Sequence, residues 1–294
     1  MKPSKNALYL STILLTSSAS VAMADSITEA LINGKMSANL NLRYENVSQD
    51  NALKDADALT LRTRVTYITD SFKGFSSLVE FEDSRNVLGI DDYNNTLGKN
   101  GAYSVIADPE TTEVDQFVLQ YKNKLLTMKA GRQVITKDNH RFVGHVGWRQ
   151  DRQTFDGITF VYQPIDELSL EYGYITKRNR IFAQGNDIDS KDHFFNASYK
   201  TAIGKIAAYS YLLEVDNDVE NGLDTYGLSL NGMADVGKQT ISYKLEYATQ
   251  DSDSTTGSYS ADYLAAELGT SFSGITIKAG YEHYINLMVG QINS

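Results

Sequence analysis

The stretch from Gly131 to Gly157, "GRQVITKDNHRFVGHVGWRQDRQTFDG", concentrates residue types that often do chemistry in proteins. It contains four arginines, two of the four histidines of the chain and the only tryptophan. Guanidinium groups are forked donors that suit carboxylates or sugar hydroxyls, and histidine serves as a metal ligand or as an acid and base. This composition is compatible with a catalytic centre, a metal site or the wall of a conduit.

Catalysis and metal binding are not predicted. His140 and His145 are five residues apart, which would place them on opposite faces of a strand, and no cysteine or HExxH pattern accompanies them. The chain also lacks a GxSxG motif and a Gly-rich phosphate loop after a strand. We therefore predict no metal, no cofactor and no enzymatic activity.

A loop that folds into a pore and narrows it explains the stretch better. Gly144 and Gly147 permit tight turns. Trp148 either stacks on a sugar ring or anchors the loop against the wall, and Asp156 is placed to pair with one of the arginines. The predicted constriction residues of this stretch are Arg132, Arg141, Trp148, Arg149, Arg152 and Asp156.

The elements that must position this loop alternate with a period of two. In "MSANLNLRYE" apolar residues occupy every second position from Met36 to Tyr44, and "ALTLRTRVTYIT" repeats the pattern with Arg62 and Arg64 on its polar side. Such alternation predicts strands with one apolar and one polar face. About thirteen segments of this kind follow one another, near residues 36–46, 57–69, 74–84, 113–122, 125–134, 154–162, 167–175, 192–200, 204–214, 224–232, 238–249, 261–269 and 274–284.

Two architectures share that pattern, a soluble sandwich and a transmembrane barrel. The barrel is favoured because the strands are long, tyrosines cluster at strand ends, and short turns alternate strictly with long polar loops. The predicted fold class is all-β, a transmembrane antiparallel up-and-down β-barrel. Single-chain bacterial barrels have even strand numbers, so an odd count means either that the count is wrong by one strand or that the chain is incomplete. We favour the second interpretation, in which the roughly thirteen visible strands are part of a barrel of about 16–18 strands.

The N-terminal sequence predicts secretion of the protein, and the charge balance limits its partners. Residues 1–24 are predicted to be a signal peptide, residues 25–35 a short periplasmic segment, and residues 36–294 an outer-membrane β-barrel that is incomplete at its C-terminus. The chain has no cysteine. Its 27 basic residues fall to 25 once Lys2 and Lys5 are removed, against 37 acidic ones, which argues against nucleic acid as a partner.

In the predicted barrel the polar strand faces line the pore. Arg43, Arg62 and Arg64 on the first two strands would face Glu80 and Glu82 on the third. These opposed charges either create a transverse field that orients solutes or simply pair with one another in a wet interior. The sequence leaves both interpretations open.

Several motifs resemble the alginate-export-like outer-membrane porins of Gram-negative bacteria: "NLRYENVSQDNA", "ALTLRTR", "LVEFEDSR", "AGRQ", "NHRFVGHVGWRQDRQTFDG" and "LAAELG". The resemblance covers essentially the whole mature chain and is most specific in the Gly131–Gly157 stretch. Members of the family continue past "AGYE" with several more strands before an aromatic terminus, whereas this chain departs at His283, which implies a C-terminal truncation.

Pattern and resemblance together predict a porin-type channel of the cell outer membrane for passive diffusion of small hydrophilic, anionic or carbohydrate solutes. The alternative is an export channel for an anionic exopolysaccharide such as alginate, which would need a mainly basic pore lining, whereas the predicted lining is mixed. The predicted partners are outer-membrane lipid, lipopolysaccharide and small hydrophilic or saccharide solutes. Homo-oligomerisation is left open.

Overall fold

The computed structural model describes residues 7–9, 25–137, 140–217, 219, 221–237, 239–255, 257–272 and 275–287. Most of the predicted signal peptide, including its predicted cleavage site, lies outside these residues. A short helix, α1 (Ile27–Ile32), begins at a capping box in which Ser26 and Glu29 exchange side-chain and backbone hydrogen bonds. No helix among the described residues is long and apolar enough to span a membrane.

Antiparallel strands make up most of the remaining chain. They are β1 (Ala7–Tyr9), β2 (Lys35–Val47), β3 (Ala56–Ile68), β4 (Phe75–Asp92), β5 (Thr111–Lys122), β6 (Leu126–Gln133), β7 (Thr154–Ile165), β8 (Leu168–Asn179), β9 (Ile188–Thr201), β10 (Gly204–Leu213), β11 (Leu223–Val236), β12 (Gln239–Ser252), β13 (Tyr259–Phe272) and β14 (Ile275–Leu287). The thirteen predicted segments correspond to β2–β14. The three-residue β1 is additional and pairs with β2.

All fourteen strands belong to one sheet in which each strand lies beside its neighbours in sequence. This up-and-down order confirms the predicted barrel-type topology over the sandwich, which would divide the strands between two packed sheets. The connections keep the predicted alternation, since short turns such as the one between β9 and β10 follow long loops such as 134–153.

The distribution of side chains across the strands is inverted relative to a soluble protein. Arg64 and Glu82 are only 8% and 1% exposed, whereas Phe81, next to Glu82 in β4, is 56% exposed. The same inversion occurs in β12, where Glu246 is 3% exposed and Leu245 is 53% exposed. Polar residues buried on one face and apolar residues exposed on the other are expected for strands whose outer face contacts lipid.

The chain divides into two compact units. The first comprises Met1–Tyr121, Lys129–Gly157 and Lys177–Ile188, and the second comprises Lys122–Met128, Ile158–Thr176 and Asp189–Ser294. In the second unit, the rings of Tyr209 and Tyr211 on β10 stack at 4.9 Å, and the ring of Phe194 on β9 meets that of Tyr211 edge-on at 5.9 Å. Every predicted constriction residue belongs to the first unit.

Candidate functional site

The polar face of β2–β4 forms the wall on which the site is built. Antiparallel register places Arg64 opposite Glu82 and Thr66 opposite Glu80, and each pair is joined by a side-chain hydrogen bond. Arg62 donates to Asn39 Oδ1 at 2.7 Å. Because period-two alternation brings these side chains to one face, the strands themselves create a dense polar surface.

The loop between β4 and β5, residues 93–110, covers one part of this wall. Tyr93 and Ile106 are fully buried against Ala56 and Ala58. The hydroxyl of Tyr93 donates to the carbonyl oxygen of Asp108 at 2.7 Å, and burial raises the pKa of Tyr93 to about 12. This small apolar cluster fixes the loop so that the carboxylate of Asp108, 1% exposed, is held among the polar groups of the wall.

The loop between β6 and β7, residues 134–153 and hereafter the β6–β7 loop, lies on the same face through residues 148–152. Gln150, 1% exposed, is its central contact. The backbone amide of Gln150 donates to Asp108 Oδ1 at 3.0 Å. Its side-chain amide donates to Thr60 Oγ1 on β3 at 2.7 Å and to the carbonyl oxygen of Asn41 on β2 at 3.3 Å. Arg64 in turn donates to the carbonyl oxygen of Gln150 at 3.3 Å. The backbone and side chain of one loop residue therefore bond to two strands and to the neighbouring loop.

Two arginines flank Gln150 at the β2 side of the wall. Arg43 donates to the carbonyl oxygen of Trp148 and pairs with both Asp108 and Glu45. Arg149 lies 3.2 Å from Glu45 Oε2 and 3.5 Å from Asp108 Oδ2. Both guanidinium groups are largely buried between the same two carboxylates, which neutralises all four charges locally.

A third arginine anchors the loop at its other side. Arg152 donates to Asp115 Oδ2 at 2.9 and 2.6 Å and pairs with Glu80. Just beyond the loop, Arg132 and Asp156 form a two-pronged pair at 2.8 and 3.1 Å. Forked pairing of this kind fixes both partners in orientation as well as in distance.

Asp151 differs from its neighbours because it is fully buried and neither carboxylate oxygen has a hydrogen-bond partner among the described residues. Burial, and then the negative charge of Glu113 on β5, raise the pKa of Asp151 from its ordinary value of 3.8 to about 9. At neutral pH this side chain is therefore a neutral carboxylic acid.

The predicted site residues fall into two groups. Nine are brought together on or beside the wall: Arg43, Arg62, Arg64, Glu80, Glu82, Arg132, Arg149, Arg152 and Asp156. Arg141 and Trp148 instead lie on the exposed side of the β6–β7 loop. The indole of Trp148 is 61% exposed and lies over the guanidinium of Arg149 at 4.1 Å, so the backbone of this residue, and not its ring, anchors the loop.

The exposed side of the loop contains a cavity of about 320 Å³. It is lined by His140, Arg141, Phe142, Gly144, Val146, Gly147, Trp148 and Gln153. His140 and Val146 have φ angles of +64° and +49°, which are uncommon for residues other than glycine and indicate a tightly constrained backbone.

The predicted separation of the two histidines is wrong. The rings of His140 and His145 lie 4.8 Å apart, because these residues belong to a folded loop and not to a strand. Burial, followed by the nearby His140, lowers the pKa of His145. No group of three or more His, Cys, Asp or Glu side chains in the described chain is arranged to hold a metal ion.

Of the two interpretations of the wall charges, the geometry favours mutual pairing. Arg43, Arg64, Arg149 and Arg152 bond to carboxylates of β2, β4, β5 and the β4–β5 loop. Sequence reasoning missed Asp108, Glu113, Asp115, Gln150 and Asp151. The alternation of β5 could have indicated Glu113 and Asp115, whereas no signal in the sequence marks Asp108 or Gln150 as a loop contact.

Comparison with known proteins places this arrangement in a family. A family model described as alginate export matches residues 34–281. No curated protein sequence matches the chain.

Solved structures of outer-membrane porins share the fold at low sequence identity. OccAB3 of Acinetobacter baumannii has a TM-score of 0.70 and 14% identity, with 87% of this chain and 68% of that chain covered. A BenF-like porin from Pseudomonas fluorescens Pf-5 has a TM-score of 0.67 and 16% identity, covering 87% and 68%. The outer membrane protein OpdK of Pseudomonas aeruginosa has a TM-score of 0.68 and 12% identity, covering 86% and 67%.

Proposed function

Because this chain belongs to the alginate export family and is a β-barrel-type protein of the cell outer membrane, we propose that it is a porin-type channel for passive diffusion of small hydrophilic solutes. The observation that carries the proposal is the attachment of residues 148–152 to the polar face of the strands. In a barrel whose polar face lines the pore, a loop bound to that face narrows the passage. The exposed apolar face of the strands contacts membrane lipid, and we propose that it also contacts lipopolysaccharide.

The exposed side of the β6–β7 loop defines the solute class that we propose, namely small anionic or carbohydrate solutes. Trp148 presents an accessible aromatic face beside a cavity that also contains Arg141 and Gln153. A flat ring next to a forked cation and an amide suits a sugar ring that carries hydroxyl or carboxylate groups. The buried Arg149 and Arg152 fix the loop to the wall through ion pairs. We therefore assign ion selectivity to Arg141 and not to Arg149.

Recordings in planar lipid bilayers test both levels of the proposal. A full-length version, completed to the even strand number predicted from the sequence, should conduct ions, and Arg141→Ala should shift its reversal potential in a salt gradient towards cation preference. The matched control is Arg85→Ala, since Arg85 is a half-exposed arginine paired with Asp83 outside the loop, and this change should leave selectivity unaltered. Absence of conductance would refute the channel. Conductance with unchanged selectivity in Arg141→Ala would refute only the assigned residue.

Export of an anionic polysaccharide is the second candidate, because it is the activity that the family model describes. The wall weighs against it, since its ion-paired arginines contact at least as many carboxylates and do not form a continuous basic track. Liposome swelling with uronic-acid monomers and with long uronic-acid oligomers separates the two candidates. Entry of the long oligomers would favour export, and entry of the monomers alone would favour diffusion of small solutes.

A further inference from the structure

Asp151, which lies between Gln150 and Arg152 in the β6–β7 loop, forms no ion pair with any cation among the described residues. Its chain neighbours Gln150 and Arg152 are each fixed to the wall, so the backbone delivers the side chain of Asp151 into a fully buried position. Neither of its oxygens accepts a hydrogen bond from any described residue. An ionised carboxylate held in this way, without a donor or a cation, is strongly disfavoured by desolvation.

The charged groups around Asp151 cannot supply the missing cation. Glu113 and Asp115 face it from β5, and Glu82 faces it from β4. The cations of the neighbourhood are engaged elsewhere: Arg64 of β3 pairs with Glu82, Arg152 of the loop with Asp115 and Glu80, and Arg132 of β6 with Asp156. Arg62 of β3 donates to Asn39. Asp187 adds a further negative charge that acts on Glu113. The local field on Asp151 is therefore dominated by acids.

A proton resolves this conflict. The carboxylate of Glu113 lies within hydrogen-bonding reach of Asp151, and a protonated carboxyl group provides the O–H donor that a pair of carboxylates lacks. Two carboxyl groups in contact titrate as a unit, and one proton shared between them removes their mutual repulsion. We propose that Asp151 and Glu113 form a proton-binding site whose single proton holds the β6–β7 loop on the wall.

Attachment of the β6–β7 loop should depend on pH, because only the protonated pair avoids charge repulsion. Below a pH of about 9, which is the pKa of Asp151, the pair keeps its proton and the loop stays attached. Above that pH both groups ionise, and two buried negative charges in contact drive residues 148–152 away from β5. This site concerns how the loop is held, and it stands whether or not the loop restricts a pore.

Trp148 provides a direct readout, because it is the only tryptophan of the chain and lies three residues from Asp151. The fluorescence of the full chain, folded in detergent micelles, is followed from about pH 6 to about pH 10. The wild-type chain should show a shift of the emission maximum with a midpoint near pH 9. Asp151→Asn keeps the shape of the side chain and donates permanently, so this variant should lose the shift.

Two further variants make the test decisive. Glu113→Gln removes the facing charge and supplies an amide donor to the ionised Asp151, so no repulsion arises and this variant should also lose the shift. Asp50→Asn changes an exposed acid in the β2–β3 connection and should leave the midpoint unaltered. Asp151→Asn keeps every tyrosine, so its loss of the shift also shows that tyrosine ionisation is not the cause. Far-ultraviolet circular dichroism confirms that each variant retains its strands. A wild-type chain without a transition, or an Asp151→Asn transition identical to that of the wild type, would overturn the proposal.

Discussion

Arg152 joins the β6–β7 loop to two strands at once, so its removal is a sharp test of the loop anchor. Arg152→Met keeps an unbranched apolar side chain but removes both hydrogen bonds to Asp115 and the ion pair with Glu80. Asp115 is 1% exposed, and breaking a buried pair from one side costs about 3–5 kcal/mol. The Nε of Arg64 lies 3.6 Å from the same Asp115 oxygen and remains as a second partner. We therefore expect a loss near the lower end, about 3 kcal/mol.

The free energy of unfolding is measured with urea on chain folded into lipid vesicles, by circular dichroism for the strands and by Trp148 fluorescence for the loop. Adding Asp115→Asn to Arg152→Met removes the stranded charge, so the double variant should recover about 1–2 kcal/mol of the loss. Arg85→Met serves as the control, because this exposed pair with Asp83 should contribute less than about 1 kcal/mol. The reasoning is refuted if Arg152→Met costs no more than Arg85→Met, or if the double variant is less stable than the single one.

Three other predictions concern single positions. Gly131 has a φ of +114°, and a Cβ there would lie 2.1 Å from the carbonyl oxygen of Phe117. Gly131→Ala should therefore lower the free energy of unfolding by at least about 2 kcal/mol and reduce the heat-modifiable folded fraction on gels. An undiminished folded fraction would contradict this. Tyr93→Phe removes the hydroxyl that donates to Asp108 and should lower the urea midpoint by an amount equivalent to about 1–2 kcal/mol. Asp151 binds its proton up to a pH of about 9 when folded but only to its ordinary pKa of 3.8 when unfolded, so its contribution to the free energy of unfolding falls as pH rises between these values. Asp151→Asn should flatten that slope in urea titrations at several pH values.

The strands could be predicted from the sequence because their cause is local. Alternation of apolar and polar residues places one face towards lipid and the other towards polar groups, and β2–β14 follow the predicted segments. The wall residues Arg43, Arg64 and Glu82 were predicted for the same reason, since strand parity alone decides which face they occupy. The pairing of Arg132 with Asp156 also follows from the proximity of β6 and β7.

The contacts of the loops could not be predicted, because loop residues have no periodicity from which to infer direction. Asp108 reaches Arg43 because the buried side chains of Tyr93 and Ile106 hold the β4–β5 loop against the strands. From the sequence alone, Asp151 between Gln150 and Arg152 would be interpreted as a surface acid that pairs with the adjacent arginine. The structure instead directs Arg152 to Asp115 and leaves Asp151 facing Glu113. The protonation of Asp151 therefore depends on the ion pairs that the arginines form, and these pairs are set by the tertiary structure.

The contacts of residues 148–152 also imply an order of assembly. The bond from Arg43 to Trp148 joins residues 105 positions apart, and the bonds of Gln150 to Asn41 and Thr60 span 109 and 90 positions. Contacts between residues so distant in sequence form late, because the intervening chain must first lose conformational freedom. The hairpins of β2–β5 must therefore exist before the loop has a surface to meet. Refolding should show strand formation first and the change at Trp148 afterwards, so that the polar face of β2–β4 stays uncovered until the loop docks.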